Sequence, residues 1–305
     1  MGKIYTKCGG GLGNRILGFI TAYYFTNNCN KKLIVHWPVD NPACMAGWYD
    51  LFKEIDGVSF ISTELDVEEH DSSSVWLVHN PGFFTNMKDV RYHRGMHHQN
   101  IVDIIRNESQ KNKNIFIQDD GISAAVPYDF VMNVFKNSIE PTGNILDKVN
   151  AFCNENDINK DTTLGCHLRM TDAQGSAELE PMVGNIKGWL EMTGYKKVFL
   201  CSDDEESEKF MCKAFPSNII LNKKNEYVKK YDVNESWEER SYDKFPCGYN
   251  VLRDKQSVIE AVEDCWILSK TYFIKPDTAI LQFEGSFAKL ARLKAESREY
   301  FNEKT

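Results

Sequence analysis

The chain has 305 residues, 42% of them hydrophobic and 26% charged, with a formal net charge of −8. This length suits two soluble domains of about 150 residues each. The acidic balance excludes a general nucleic-acid binder, which needs a basic face to displace counterions. No stretch approaches the roughly 18 apolar residues of a membrane span.

The opening residues, MGKIYTKCGGG, lack the apolar core of a secretory signal. KIYTK reads as a strand and GGGLGN as a glycine loop. Arg15 to Asn28 reads as a helix, with Ile16, Leu17, Ile20, Tyr23 and Tyr24 at helical spacing. KKLIVHW reads as a second strand, and this strand–loop–helix–strand unit predicts parallel pairing. VWLVH (75–79) and NIFIQ (114–118) predict further strands, and the polar RYHRGMHHQ between them a surface loop. From Val126 to Phe152 the pattern is helical, with a break at Pro141-Thr142-Gly143. The polar, turn-rich CNENDINKDTT sets the expected boundary between domains at 1–150 and 151–305.

The second half repeats the alternation. TLGCHLR, KKVFLCSDD, SNIILN and TYFIK read as strands. NIKGWLEMTG, stopping at Gly194, ESEKFMCKAF and SVIEAVEDCWILSK read as helices. Residues 222–250 have no clear period and read as a loop over a site. The tail from Gln282 to Asn302 reads as a helix that can pack back on the first domain. The fold class expected is α/β, with two Rossmann-like doubly wound domains. Ligands of such folds bind beyond the carboxyl ends of the strands.

The nine cysteines are odd in number and include no CxxC pair, several lying in apolar runs. That usage points to reduced, buried thiols and a cytoplasmic location. No ligand spacing for zinc occurs, so no metal site is expected.

Five features carry candidate chemistry. Gly9, Gly10, Gly11 and Gly13 precede a helix, where close backbone approach and the helix N-terminus favour an anion. The spacing misses GxGxxG at Asn14, and Asn14-Arg15 stands where a P-loop needs Gly-Lys. A tight turn with close packing is the alternative. Arg169 ends an apolar strand, where its planar fork suits a diphosphate or, alternatively, a structural ion pair. Asp203 and Asp204 end the next strand, placed either to orient that Arg or to begin a helix. Glu178 and Glu180 follow the Arg strand as candidate general bases or as solvated acids. Asp264 could accept two hydrogen bonds from a guanine edge or simply be an exposed helix acid.

In order, GGGLGNR (9–15), GCHLRMTD (165–172), FLCSDD (199–204) and EDCWILSKTYFI (263–274) resemble the fucosyltransferase superfamily. It includes the α1,6-fucosyltransferases, the rhizobial nodulation fucosyltransferases and the protein O-fucosyltransferases. The resemblance implies a GT-B architecture and inverting, metal-independent transfer from GDP-fucose to a glycan or glycoprotein hydroxyl. No cofactor is implied beyond the nucleotide sugar. It puts the essential arginine on Arg169, against the donor β-phosphate, and a nucleotide-contacting histidine on His167. Asp203 and Asp204 match acids that line the donor site. Asp264 matches an acid that reads guanine. Gly11, Gly13, Asn14 and Arg15 fall in the loop facing the cleft, and Thr278 in the C-terminal phosphate signature.

Met170 stands where many members have a second arginine, and Ala177 where the catalytic glutamate would fall. Glu178, one residue on, is the candidate base. Two other readings follow from these departures: another donor such as UDP-xylose, or a glycan-binding protein without turnover. A nucleotide-dependent enzyme of another class, such as a dehydrogenase, is a third reading, and the incomplete dinucleotide fingerprint counts against it.

Overall fold

The computed structural model describes residues 3–63, 75–78, 90–92, 103, 105–107, 110–111, 114–118, 121–122, 126–168, 179–225, 229–230, 251–273 and 285–300. The chain forms two compact units. The first comprises residues 1–41 and 47–140; the second comprises 42–46 and 141–305.

In the first unit, β1 (Ile4–Lys7) leads through the glycine loop into α1 (Leu12–Cys29) and then β2 (Leu33–His36). The helix starts at Leu12, three residues ahead of the expected Arg15, because Gly11 is already extended and serves as its N-cap. It stops where Asn30 turns left-handed at φ 49°. There follow α2 (Trp48–Leu51), β3 (Val58–Ile61), β4 (Val75–Val78), β5 (Val90–Tyr92), β6 (Ile115–Gln118) and α3 (Tyr128–Asn137).

The six strands pair in the order β3-β2-β1-β6-β4-β5, all parallel. The expected loop RYHRGMHHQ therefore begins as strand: Arg91 and Tyr92 pair with β4, and residues 93–99 lie outside the described residues. The stretch 48–61, which has no clear period, is organised by aromatic burial. Trp48 stacks on Phe60 with ring centroids 3.9 Å apart, and Phe19 and Trp37 pack edge-on or tilted around them. Each such ring removes a large apolar area from water, which outweighs weak local propensity.

The second unit runs α4 (Gly143–Glu155), β7 (Thr163–Leu168), α5 (Leu179–Thr193), β8 (Lys197–Ser202), α6 (Glu205–Ala214) and β9 (Ile220–Leu221). Then come β10 (Lys229–Lys230), β11 (Val251–Leu252), α7 (Lys255–Leu268), β12 (Tyr272–Phe273) and α8 (Ser286–Tyr300). The main sheet has the order β12-β7-β8-β9, all parallel, and β10 and β11 form a separate antiparallel pair.

Both faces of the main sheet are covered. Leu164, Cys166, Leu168, Val198 and Leu200 form one core with Met182 and Ile186 of α5 and Met211 of α6. On the other face Phe199 meets Phe152 of α4, and α7 packs against β8 and α8. Period-2 alternation thus feeds two cores, and the strands read as continuous apolar runs for that reason. Gly194 closes α5 at φ 74°, its N–H returning to the Leu190 carbonyl.

In each sheet the strand order reverses beside one strand. In the first it is β1, between β2 and β6; in the second it is β7, between β8 and β12. Crevices for ligands open at such reversals, outside the carboxyl ends of the strands.

Candidate functional site

β7 and β8 pair in register, His167 opposite Cys201 and Leu168 opposite Ser202, so their carboxyl ends share one edge. The Asp203 N–H donates to the Leu168 carbonyl at 3.4 Å, which extends the ladder past the last strand residue. Arg169 follows Leu168 directly in the chain, and Glu178 precedes the first residue of α5. Arg169, Glu178 and Thr278 lie outside the described residues. Glu180 is exposed in the first turn of α5.

His167 is half-buried and packs against the Phe287 ring of α8, with centroids 4.7 Å apart. The contact brings the C-terminal helix to the same strand end. Asp203 is half-buried there. Asp204 caps α6: its Oδ2 accepts from the Ser207 N–H at 2.8 Å and from the Ser207 hydroxyl. A carboxylate in this position also meets the positive end of the helix dipole. Of the two adjacent acids, Asp204 is thus engaged in its own helix, while Asp203 stands at the strand end beside Leu168.

Asp264 is not an exposed helix acid. The second half of α7, from Val262 to Leu268, is buried all round, and it carries Glu263 and Asp264 inward. Asn225 donates to Asp264 Oδ2 at 2.5 Å. Lys223 bonds Glu263 Oε2 at 2.7 Å and stands 3.6 Å from Asp264 Oδ1. Lys148 approaches Glu263 Oε1 at 3.2 Å. Burial pushes the Asp264 carboxyl up to about 7, Lys223 and Asn225 pull it back, and Glu263 and Glu260 add to the push. Cys201 of β8 lies close enough for Asp264 to raise its thiol further, after burial. Burial also raises Cys166 to about 12 and Cys265 higher still, so these thiols stay protonated.

Lys223, Asn225 and Glu263 were not among the residues singled out by sequence. The first two fall at the start of 222–250, read only as a loop over a site, and nothing local marks their partners about forty residues away.

In the first unit the glycine loop takes its shape from Gly10, at φ 69°, a conformation glycine adopts without a Cβ penalty. Gly11 is the N-cap of α1, Gly13 is buried within the first turn, and Asn14 is half-buried beside it. Arg15 points into the core and is 0% exposed. Its Nε donates to the Gly10 carbonyl at 2.8 Å, its Nη1 to the Pro38 carbonyl at 2.6 Å, and its guanidinium lies over the Trp37 ring. Its Nη2 makes no hydrogen bond. The arginine therefore ties the loop after β1 to the loop after β2.

Among the described residues, no group of three or more His, Cys, Asp or Glu is placed to hold a metal ion, and no helix is long and apolar enough to cross a membrane.

Both units carry parallel strands with a strand-order reversal, the doubly wound α/β architecture. Comparison with solved structures narrows the fold. The chain is similar to NodZ α-1,6-fucosyltransferase from Bradyrhizobium, at 14% identity and TM-score 0.58, over 96% of this chain and 92% of that one. It is also similar to POFUT1 in complex with GDP-fucose, at 11% identity and TM-score 0.56, over 97% and 95% of the two chains. A mutant of Arabidopsis thaliana FUT1 in complex with GDP matches at 14% identity and TM-score 0.54, over 97% of this chain and 69% of that one. The protein has the α/β fold of these fucosyltransferase structures. No protein-family model and no curated protein matches the sequence.

Proposed function

We propose that the protein is an inverting glycosyltransferase that moves a sugar, with GDP-fucose as the favoured donor, to a hydroxyl of a glycan or glycoprotein. The observation that carries this reading is the register of β7 and β8. It sets Leu168, the residue before Arg169, beside Asp203 at the strand end where the order of the second unit's main sheet reverses. The end-to-end likeness to NodZ soaked with GDP-fucose and to POFUT1 with GDP-fucose supports the donor.

In this mechanism the acceptor oxygen attacks the anomeric carbon from the face opposite the diphosphate. The carbon–oxygen bond to GDP breaks as the new bond forms, which inverts the centre. Glu178 takes the acceptor proton. Arg169 meets the charge that develops on the departing diphosphate, a role a preformed cation fills without a metal. Asp203 orients that arginine, and His167, braced by Phe287, lines the nucleotide. Asp264 accepts from the guanine base. Gly11, Gly13, Asn14 and Arg15 shape the glycine loop of the first unit, and Thr278 contributes to the phosphate site. The cysteine usage, odd in number and without a CxxC pair, favours a reducing, cytoplasmic setting.

The test is transfer of labelled fucose from GDP-fucose to an immobilised glycan panel, with and without EDTA. Product bearing the inverted linkage, unaffected by EDTA, is expected. Activity with UDP-sugars alone overturns the donor assignment. Loss of activity in EDTA, restored by Mg²⁺ or Mn²⁺, overturns the metal-free mechanism.

A further inference from the structure

Resting on the reading that Asp264 meets the donor's base, we propose that Lys223 and Asn225 are positioning residues that give this site its selectivity for guanine. They do so by holding the Asp264 carboxylate ionised and fixed in plane.

The Asp264 side chain is buried, and its two oxygens differ. Oδ2 accepts from Asn225, whereas Oδ1 accepts no hydrogen bond. A buried acceptor without a donor is unfavourable, and a ligand N–H that supplies one gains accordingly. Guanine presents N1–H and a 2-amino N–H side by side, matching the two oxygens of one carboxylate. Uracil offers one N–H flanked by two carbonyls, so an acceptor would face an acceptor. Hypoxanthine keeps the N1–H and lacks the amino group.

Discrimination of this kind needs an ionised carboxylate. Protonated, Asp264 would turn an O–H toward the ligand's N–H groups. The surroundings work against ionisation: Glu260, Glu263 and Cys265 lie on the same helix, and Cys201 faces it from β8. Lys223 is the cation that counters them. Its Nζ is anchored on Glu263, which also faces Lys148, so the ammonium is kept beside Asp264. Asn225, from the same segment after β9, fixes Oδ2 and with it the plane of the carboxylate.

The experiment is calorimetric titration of the full chain with GDP, IDP and UDP. The wild type should bind GDP about tenfold tighter than IDP, the cost of one missing donor against a buried acceptor. In Asn225→Ala and in Lys223→Met the preference for GDP over IDP should fall to about threefold or less, with UDP binding unchanged. A merely structural role would weaken all three nucleotides alike.

The pH profile is a second readout. Wild-type affinity for GDP should fall as pH drops through about 7. Lys223→Met should need a higher pH than wild type to regain GDP preference, because the cation that lowers the Asp264 pKa is gone. Lys223→Arg keeps the charge and should keep the preference. Asn225→Ala leaves every charge in place, so it tests the proposal even if Lys223→Met does not fold.

Undiminished GDP-over-IDP preference in both variants overturns the positioning role. A wild type that binds GDP and IDP equally overturns Asp264 as the base selector, and the proposal with it. A wild type that binds no nucleotide overturns the functional reading itself.

Discussion

Replacing Arg15 by methionine tests how the glycine loop is held. The guanidinium is fully buried and donates to two main-chain carbonyls, Gly10 at the end of the loop after β1 and Pro38 after β2. Methionine fills much of the same volume but donates to neither. An acceptor stripped of its donor in the interior costs about 1–3 kcal/mol, and the part-buried Gly10 carbonyl falls near the low end. Losing the contact over Trp37 adds about 0.5–1 kcal/mol. Removing an unbonded Nη2 from the core gives some of this back. The net expectation is a loss of about 2–4 kcal/mol, a large share of the roughly 5–15 kcal/mol typical of a domain.

Because the chain has two units, a single unfolding midpoint is the wrong observable. Hydrogen exchange read by mass spectrometry on peptides spanning 4–17 and 33–39 isolates the first unit. Protection there should drop while peptides from β7 and β8 are unaffected. Arg15→Lys, which keeps the charge but cannot fork to both carbonyls, should lie between. A change below about 0.5 kcal/mol in Arg15→Met would refute the tie between the two loops.

Asp204→Ala removes the cap of α6 and should cost about 1 kcal/mol, measured by denaturation; Asp204→Asn should cost much less, since asparagine caps as well. Asp264 titrates higher in the folded chain than in the unfolded one, so its contribution to stability is fully present below about pH 4 and is lost as pH rises through about 7. Asp264→Asn should accordingly be more stable than wild type above pH 7 and lose that advantage in acid; a pH-independent difference would show that the carboxyl titrates alike in the folded and unfolded chain. Arg169→Ala should lower turnover at least a hundredfold with hydrogen-exchange protection of β7 and β8 unchanged, as loss of a leaving-group donor does. Glu178→Gln should lower kcat more than donor affinity, and unchanged kcat would move the base to Glu180.

Much of the fold was legible in the chain. The strands Ile4–Lys7, Leu33–His36, Thr163–Leu168 and Lys197–Ser202 are short apolar runs bounded by polar or turn residues. The helices between them show their period, and Gly194 marks a stop that its positive φ explains. These signals are local because they depend on residues within one turn or one strand. The segment 48–61 was not legible, since its structure comes from aromatic rings meeting others far along the chain.

At the site, the sequence by itself determined the order of the chemical groups: a glycine loop before a helix, and a histidine and paired acids at apolar strand ends. Tertiary structure alone decided what the groups do to one another. It made Asp204 a helix cap, turned Arg15 into the core to bind two loops, and buried Asp264 against Lys223 and Asn225. Each of these depends on desolvation and on partners brought close by packing, with the Asp264 partners 39 and 41 residues distant in the chain. Periodicity tells which residues leave water; only the assembled core tells which polar groups leave with them, and what must then satisfy them.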